Sequence, residues 1–286
     1  MFTLPNFLVV GAQRSGTTFL WGLLRQHPDI YMPEKKELHY FDEAPFNNDL
    51  LEGYAKQFSG ANGASAVGEV TPEYIFFDWV PELIAKTLGH VRLVFVLRNP
   101  IERAYSHYWL MILTRREYLS FGQAIKRKPE QLQKEFLSWR NHSYVQRGIY
   151  FEQIKNYLQY FDRDQMLFVI SEQFYKDPQR IMNEICSFLA VDHRFTFKTE
   201  QYRHHMKRPN HITLYRFLSG VRLWFKGRRG YWPVSKHVRQ WQDNMEKQNN
   251  PYPPIKPAVR QYLQDLYQPY NDELSDFLNQ DLSHWK

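Results

Sequence analysis

With 286 residues and 43% apolar side chains, the chain can bury a sizeable core, which excludes a disordered or low-complexity protein. Lys and Arg exceed Asp and Glu by 37 − 30 = 7, an excess that suits an anionic ligand, a polyanion or a membrane surface without choosing among them. The lone cysteine, Cys186, excludes an internal disulfide framework, and no Cys/His spacing suggests zinc, so core packing is its expected role.

Met1 to Pro5 carries no basic leader, and no run approaches the ~20 apolar residues of a membrane span, so a soluble cytoplasmic enzyme is expected. Phe7-Leu8-Val9-Val10 reads as a buried strand ending at Gly11. Thr17 to His27 follows as a helix with Phe19, Leu20, Leu23 and Leu24 on one side. Ala66-Val67-Gly68-Glu69 is a short strand and Val80 to Leu88 a helix. The clearest strand, Val91 to Leu97, stops at Asn99-Pro100. There the spacing predicts Asn99 as N-cap, Pro100 as first helical residue and Glu102 as the return half of a capping box. Helices are predicted to fill Phe121 to Tyr160, Met166 to Ile170 is the last core strand, and Asp177-Pro178 opens the helix holding Cys186. This alternation predicts a doubly wound, mainly parallel α/β sheet flanked by helices. Beyond about Asp192 the chain turns basic, aromatic and Pro-containing. The expectation is one domain over 1–286, with a core at about 5–191 and a mostly helical appendage at about 192–286 closing over the site.

Gly11 to Thr18 has the glycine spacing of a phosphate-binding loop between a strand and a helix. Glycine lets the backbone curl so that successive N–H groups face an anion, and the helix adds the positive end of its dipole. A P-loop NTPase needs Lys directly after the second glycine; here that residue is Thr17, and the cation stands earlier, at Arg14. A nucleotide kinase would also usually end a later strand in an acid to organise Mg²⁺. This chain ends it in Arg98, which prefers a second phosphate.

Val10-Gly11-Ala12-Gln13-Arg14-Ser15-Gly16-Thr17-Thr18-Phe19-Leu20 resembles the 5′-phosphosulfate loop of sulfotransferases that use PAPS, 3′-phosphoadenosine 5′-phosphosulfate. Leu97-Arg98-Asn99-Pro100-Ile101-Glu102-Arg103-Ala104-Tyr105-Ser106-His107-Tyr108 resembles their 3′-phosphate motif. The resemblance implies a P-loop-like fold, PAPS as donor and PAP as product, with no metal expected. It implies donor contacts from Gln13, Arg14, Ser15, Gly16, Thr17 and Thr18, and a 3′-phosphate held by Arg98 and Ser106. Lys207-Arg208-Pro209 lies where relatives carry a late basic segment over that phosphate, a solvated charge run being the plain alternative. Lys35-Lys36-Glu37-Leu38-His39-Tyr40-Phe41 and Gly68-Glu69-Val70-Thr71-Pro72-Glu73-Tyr74 are similar to the catalytic region of the glycan-modifying, heparan-type branch and its bacterial relatives. The tail from Leu263 to Trp285 is similar to that branch's C-terminal helix and aromatic end. Arg14 departs from the Lys common in the loop, exchanging a point charge for a planar fork, and Val70 from the Lys that often follows the branch's catalytic Glu.

Sulfuryl transfer by in-line displacement needs an aligned acceptor, stabilised charge on the leaving phosphate and a base. Arg14, the loop amides and the hydroxyls of Ser15, Thr17 and Thr18 are expected to stabilise that charge. Glu69, at a strand end, is the expected general base, with a plain ion pair as its alternative. His39 and Lys36 are expected beside it, orienting the acceptor or assisting the leaving oxygen, and His39 is the rival base. The expected acceptor is a hydroxyl, less readily an amine, of a carbohydrate, glycolipid or other small molecule. It is shaped by residues 31–58 and 121–147. The aromatic fraction of 17% fits such a cleft but equally an aromatic core. Residues 221–232 mix aromatics with cations, as a lid, an anionic-acceptor surface, a peripheral membrane contact or an ordinary basic helix would. Competing readings are a P-loop-type nucleotide kinase and a non-catalytic nucleotide-binding protein. A nucleic-acid partner is suggested by net charge alone and is not expected.

Overall fold

The structure, a computed structural model, describes residues 3–43, 50–200, 211–225, 237–238, 240–242 and 251–285. Strands β1 (Phe7–Gly11), β2 (Ile30–Tyr31), β3 (Ala66–Val70), β4 (Arg92–Leu97) and β5 (Met166–Ile170) form a parallel sheet in the order β2-β3-β1-β4-β5. In chain order the helices are α1 (Thr17–Leu24), α2 (Leu51–Lys56), α3 (Val80–Leu88), α4 (Pro100–Leu113), α5 (Phe121–Ala124) and α6 (Pro129–Leu132). They continue as α7 (Phe136–His142), α8 (Tyr150–Tyr157), α9 (Ser171–Lys176), α10 (Pro178–Leu189), α11 (Ile212–Phe225) and α12 (Pro257–Leu278). This is the expected P-loop-like α/β architecture with a helical C-terminal region. β1 and β3 are buried at every position, as strands covered on both faces are; the apolar run of β1 fits this, while β3 buries Glu69 among apolar neighbours. Gly68 is a glycine for a packing reason. It pairs with Phe7, and a Cβ there would lie 2.3 Å from the ring.

The chain divides into two compact units. The first comprises Met1–Asn99, Ile149–Arg203 and Tyr270–His284 and contains the whole sheet. Its core joins Phe7, Val9, Leu20 and Leu23 to Val94, Val169, Met182 and the buried Cys186, the packing role expected of that thiol. The second comprises Pro100–Gly148, His204–Pro269 and Trp285–Lys286 and is helical among its described residues. Within it Trp109 stacks on Tyr252 at 4.8 Å, while the fully buried Glu117 takes an ion pair from Arg127 and a 2.9 Å hydrogen bond from the Tyr144 hydroxyl.

Several sequence boundaries shift for local reasons. α1 stops at Leu24, and His27, which precedes Pro28, turns its ring to the Asp192 carbonyl at 2.8 Å. The predicted helical stretch over 121–160 is four helices and a 3₁₀ turn at Gln146–Gly148, with Pro129 opening one piece and Gly148 lying within that turn. A Cβ at Gly148 would meet the Tyr267 hydroxyl at 2.8 Å. At the start of α4 the Asn99 N–H donates to Glu172 at 2.9 Å and the Glu102 carboxylate pairs with Arg260, contacts the capping pattern did not anticipate.

Candidate active site

The strand order diverges between β1 and β4, which are neighbours although the chain leaves one toward β2 and the other toward β5. In such sheets ligands bind outside the C-terminal ends of those two strands. The Gly11–Thr18 loop follows β1 and Arg98 follows β4, so both stand at that crevice. Arg98 Nη1 donates to the Arg14 carbonyl at 3.0 Å, and the Tyr150 hydroxyl donates to the Arg98 carbonyl at 2.8 Å. The backbone here needs its glycines. A Cβ on Gly11 would lie 2.3 Å from Ile75, and Gly16, the N-cap of α1, has φ 101°. No side chain caps α1 and its first turn has no acid, so its leading N–H groups are available to an anion. Ser15 Oγ and Gln13 Oε1 are buried without a hydrogen-bond partner among the described residues, Thr17 is buried, and Arg14 and Thr18 are half-buried. Orphaned polar atoms, helix amides and two guanidinium groups together fit a phosphate-bearing ligand.

Beside this loop, β3 delivers Glu69, a carboxylate only 2% exposed. Tyr54 and Tyr74 donate their hydroxyls to Oε1 at 2.9 and 2.8 Å, and Thr71 donates to Oε2 at 2.7 Å. Burial pushes the Glu69 carboxyl above the ordinary carboxylate range, against the pull of these three hydroxyls, and the Asp42 charge adds to the rise. Both phenols are held protonated by burial and then by the Glu69 charge, so they stay donors. The same hydroxyls grip the next loop. The Tyr40 N–H donates to Tyr74 Oη at 3.0 Å and the His39 N–H to Thr71 Oγ1 at 3.5 Å.

That loop presents His39, whose Nδ1 lies 2.9 Å from the fully buried Asp42 carboxylate. A carboxylate partner favours the proton on Nδ1, and Nε2 lies 3.7 Å from Glu37 Oε2. Glu37, with a side chain 39% exposed, also pairs with Lys36. Glu73 completes the set. One of its oxygens accepts from Gln13 Nε2 at 3.0 Å, and ligand atoms of Glu73, His39 and Asp42 lie within 4.8 Å of one another. Gln13 thus ties the phosphate loop to the His39 cluster. Alongside lies a cleft of about 250 Å³ walled by Lys35, His39, Glu43 and Gln57, with Tyr40 and Tyr54 stacked at 4.3 Å and 11°.

Of the residues singled out from sequence, Gln13, Arg14, Ser15, Gly16, Thr17, Thr18, Lys36, His39, Glu69 and Arg98 all belong to the first compact unit. Ser106 is buried on α4 in the second, and Lys207 and Arg208 lie outside the described residues. Sequence reading passed over Tyr54, Asp42 and the candidate role of Glu37. Asp42 and Glu37 flank His39 in the chain and were findable; Tyr54 comes from α2 and carries no local signal.

Among curated proteins, the chain is 38% identical over 115 residues to the membrane-associated sulfotransferase kil1 of Dictyostelium discoideum, covering 39% of this chain and 24% of that protein. It is 24% identical over 301 aligned positions to a mouse bifunctional heparan sulfate N-deacetylase/N-sulfotransferase 4, covering 99% of this chain and 31% of that protein. It is 25% identical over 287 to the mouse heparan sulfate glucosamine 3-O-sulfotransferase 6, covering 97% and 72%. The chain therefore spans about a quarter to a third of the first two relatives. Among solved structures, a sulfotransferase from Alicyclobacillus acidocaldarius matches with TM-score 0.73 and 26% identity, covering 99% of both chains. The sulfotransferase domain model matches residues 4–217, well over half of the 286, and the chain accordingly belongs to the sulfotransferase family.

Proposed function

We propose that this enzyme moves a sulfuryl group from PAPS to a hydroxyl, less readily an amine, of a carbohydrate or other small acceptor. The observation that carries the reading is the Gln13–Glu73 bond, which joins a phosphate-type loop to the Glu69–His39 cluster within one compact unit. PAPS would supply the activated sulfate. Arg14, the α1 amides and Ser15, Thr17 and Thr18 would hold its 5′ end, and Arg98 its 3′-phosphate. Ser106, Lys207 and Arg208 keep the 3′-phosphate roles that the resemblance implies, each testable by PAP binding of its alanine variant. Glu69, its proton affinity raised by burial, is the proposed general base, and Lys36 is proposed to assist the leaving oxygen.

A second assignment of the base is favoured by exposure. Glu69 is 2% exposed and already takes three hydroxyl donors, whereas the Glu37 side chain is 39% exposed and 3.7 Å from His39. On that assignment Glu37 or His39 takes the acceptor proton and Glu69 anchors the loop. Incubation with radiolabelled PAPS and a panel of glycans, glycolipids, phenols and alcohols tests the activity. Glu69→Gln and Glu37→Gln then separate the two bases: the base variant loses transfer and keeps PAP binding. Transfer by neither enzyme nor variants to any acceptor, together with ATP turnover, would favour the kinase reading.

The relatives' names, glucosamine 3-O-sulfotransferase and N-sulfotransferase, support a sugar acceptor, and the cleft walled by Lys35, His39, Glu43 and Gln57 offers it polar groups. Among the described residues no helix is long and apolar enough to cross a membrane. A peripheral membrane contact through residues 221–232 is supported by the name of the Dictyostelium relative and is tested by salt-sensitive liposome binding; the cytoplasmic location is tested by fractionation.

A further inference from the structure

Tyr175, on α9 after β5, stands beside the phosphate loop but belongs to neither of the motifs that define it. Its ring stacks on Phe19 of α1 at 5.4 Å and 12°, which fixes the ring plane from the helix that the loop enters. The hydroxyl reaches across the loop. A Cβ built on Gly16 would lie 3.0 Å from Tyr175 Oη. Gly16 is required by its φ of 101°, and a side chain there would also crowd this hydroxyl. The ring is packed, yet the residue is 51% exposed, so the hydroxyl can reach a ligand. The charges of Arg98 and Arg14 both act on it. A neutral donor that feels the charge of two guanidinium groups and stands beside Gly16, the N-cap of α1, is arranged to meet an anion, and a Phe would fill the same packing space without one.

We propose that Tyr175 is a donor-binding residue whose hydroxyl donates a hydrogen bond to the phosphate at the 5′ end of PAPS and of PAP. The proposal rests on the reading that this loop takes PAPS. Tyr175→Phe keeps the stacking on Phe19 and removes only the hydroxyl. Isothermal titration of the full chain with PAP should show binding roughly tenfold weaker for Y175F, the loss typical of a hydrogen bond to a charged group. The kcat/KM for PAPS should fall by at least a similar factor, and thermal unfolding of the ligand-free protein should not move. Adenosine 3′-phosphate, which lacks the 5′ group, should bind wild type and Y175F alike. Equal PAP affinity in the two proteins overturns the proposal while leaving the donor reading intact. Equal losses with PAP and adenosine 3′-phosphate overturn the assignment to the 5′ end, and no PAP binding by wild type removes both.

Discussion

Replacing Tyr74 by Phe deletes one oxygen that serves two partners. It donates to Glu69 Oε1 at 2.8 Å and accepts the Tyr40 N–H at 3.0 Å. Losing a hydrogen bond to a charged group costs about 1.5–3 kcal/mol, and a buried N–H left unpaired costs about 1–3 kcal/mol more. Because one atom makes both bonds the two costs do not simply add, and about 3–4 kcal/mol is expected. Tyr54→Phe is the matched control. It removes a donor to the same Oε1 at 2.9 Å but no recorded backbone bond, so about 2 kcal/mol is expected. Urea denaturation of both variants with unchanged m-values measures the difference. The activity should follow the same order, since Y74F frees the backbone that presents His39. Equal destabilisation by the two variants would show that the Tyr74 hydroxyl does not tie the 37–42 loop to Glu69.

Glu69→Gln should alter the pH dependence of stability. The folded Glu69 pKa lies above the ordinary 4.5, so the folded state binds the proton more tightly than the unfolded one. Wild-type stability from this group is present at low pH and lost as pH rises from about 4.5 through the folded pKa, and E69Q should flatten that fall in Tm. A steeper fall in the variant would contradict the burial origin of the shift. Arg127→Ala leaves the fully buried Glu117 carboxylate without its cation and should cost about 3–5 kcal/mol by urea denaturation. Burial raises the Glu117 pKa, but the Arg127 hydrogen bond and charge outweigh it. The contribution of this lowered pKa is therefore present above about 4.5 and lost as pH falls through the folded value. Exhaustive treatment with EDTA should leave sulfuryl transfer unchanged; loss of activity restored by a divalent ion would assign one to the His39, Asp42 and Glu73 group.

The apolar runs at 7–10, 91–97 and 166–170 were legible because strands buried on both faces contain little else. The phosphate loop was legible because glycine spacing and the missing Walker Lys are local features. β2 escaped notice since two residues cannot carry a period. The hydroxyl cradle of Glu69 was hidden for another reason: Tyr54 lies 15 residues before it and Tyr74 five after, and only the fold brings the two phenols to one carboxylate. Tyr175 was unreadable because its meaning depends on a glycine 159 positions away, Gly16, whose missing side chain makes room for the hydroxyl.

The cleft beside His39 is walled by residues 35–57, which lie inside the connection between β2 and β3. Those two strands pair in parallel at one edge of the sheet, Ile30 opposite Ala66 and Tyr31 opposite Val67. The connection can therefore change length and composition without rethreading β1, β4 or the loop that follows β1. If the cleft takes the acceptor as proposed, substrate range and donor binding are built on separable parts of the chain. A chimera exchanging residues 32–65 is the natural unit for moving one relative's acceptor preference onto another's donor site, provided Tyr54 and the 37–42 backbone travel with it.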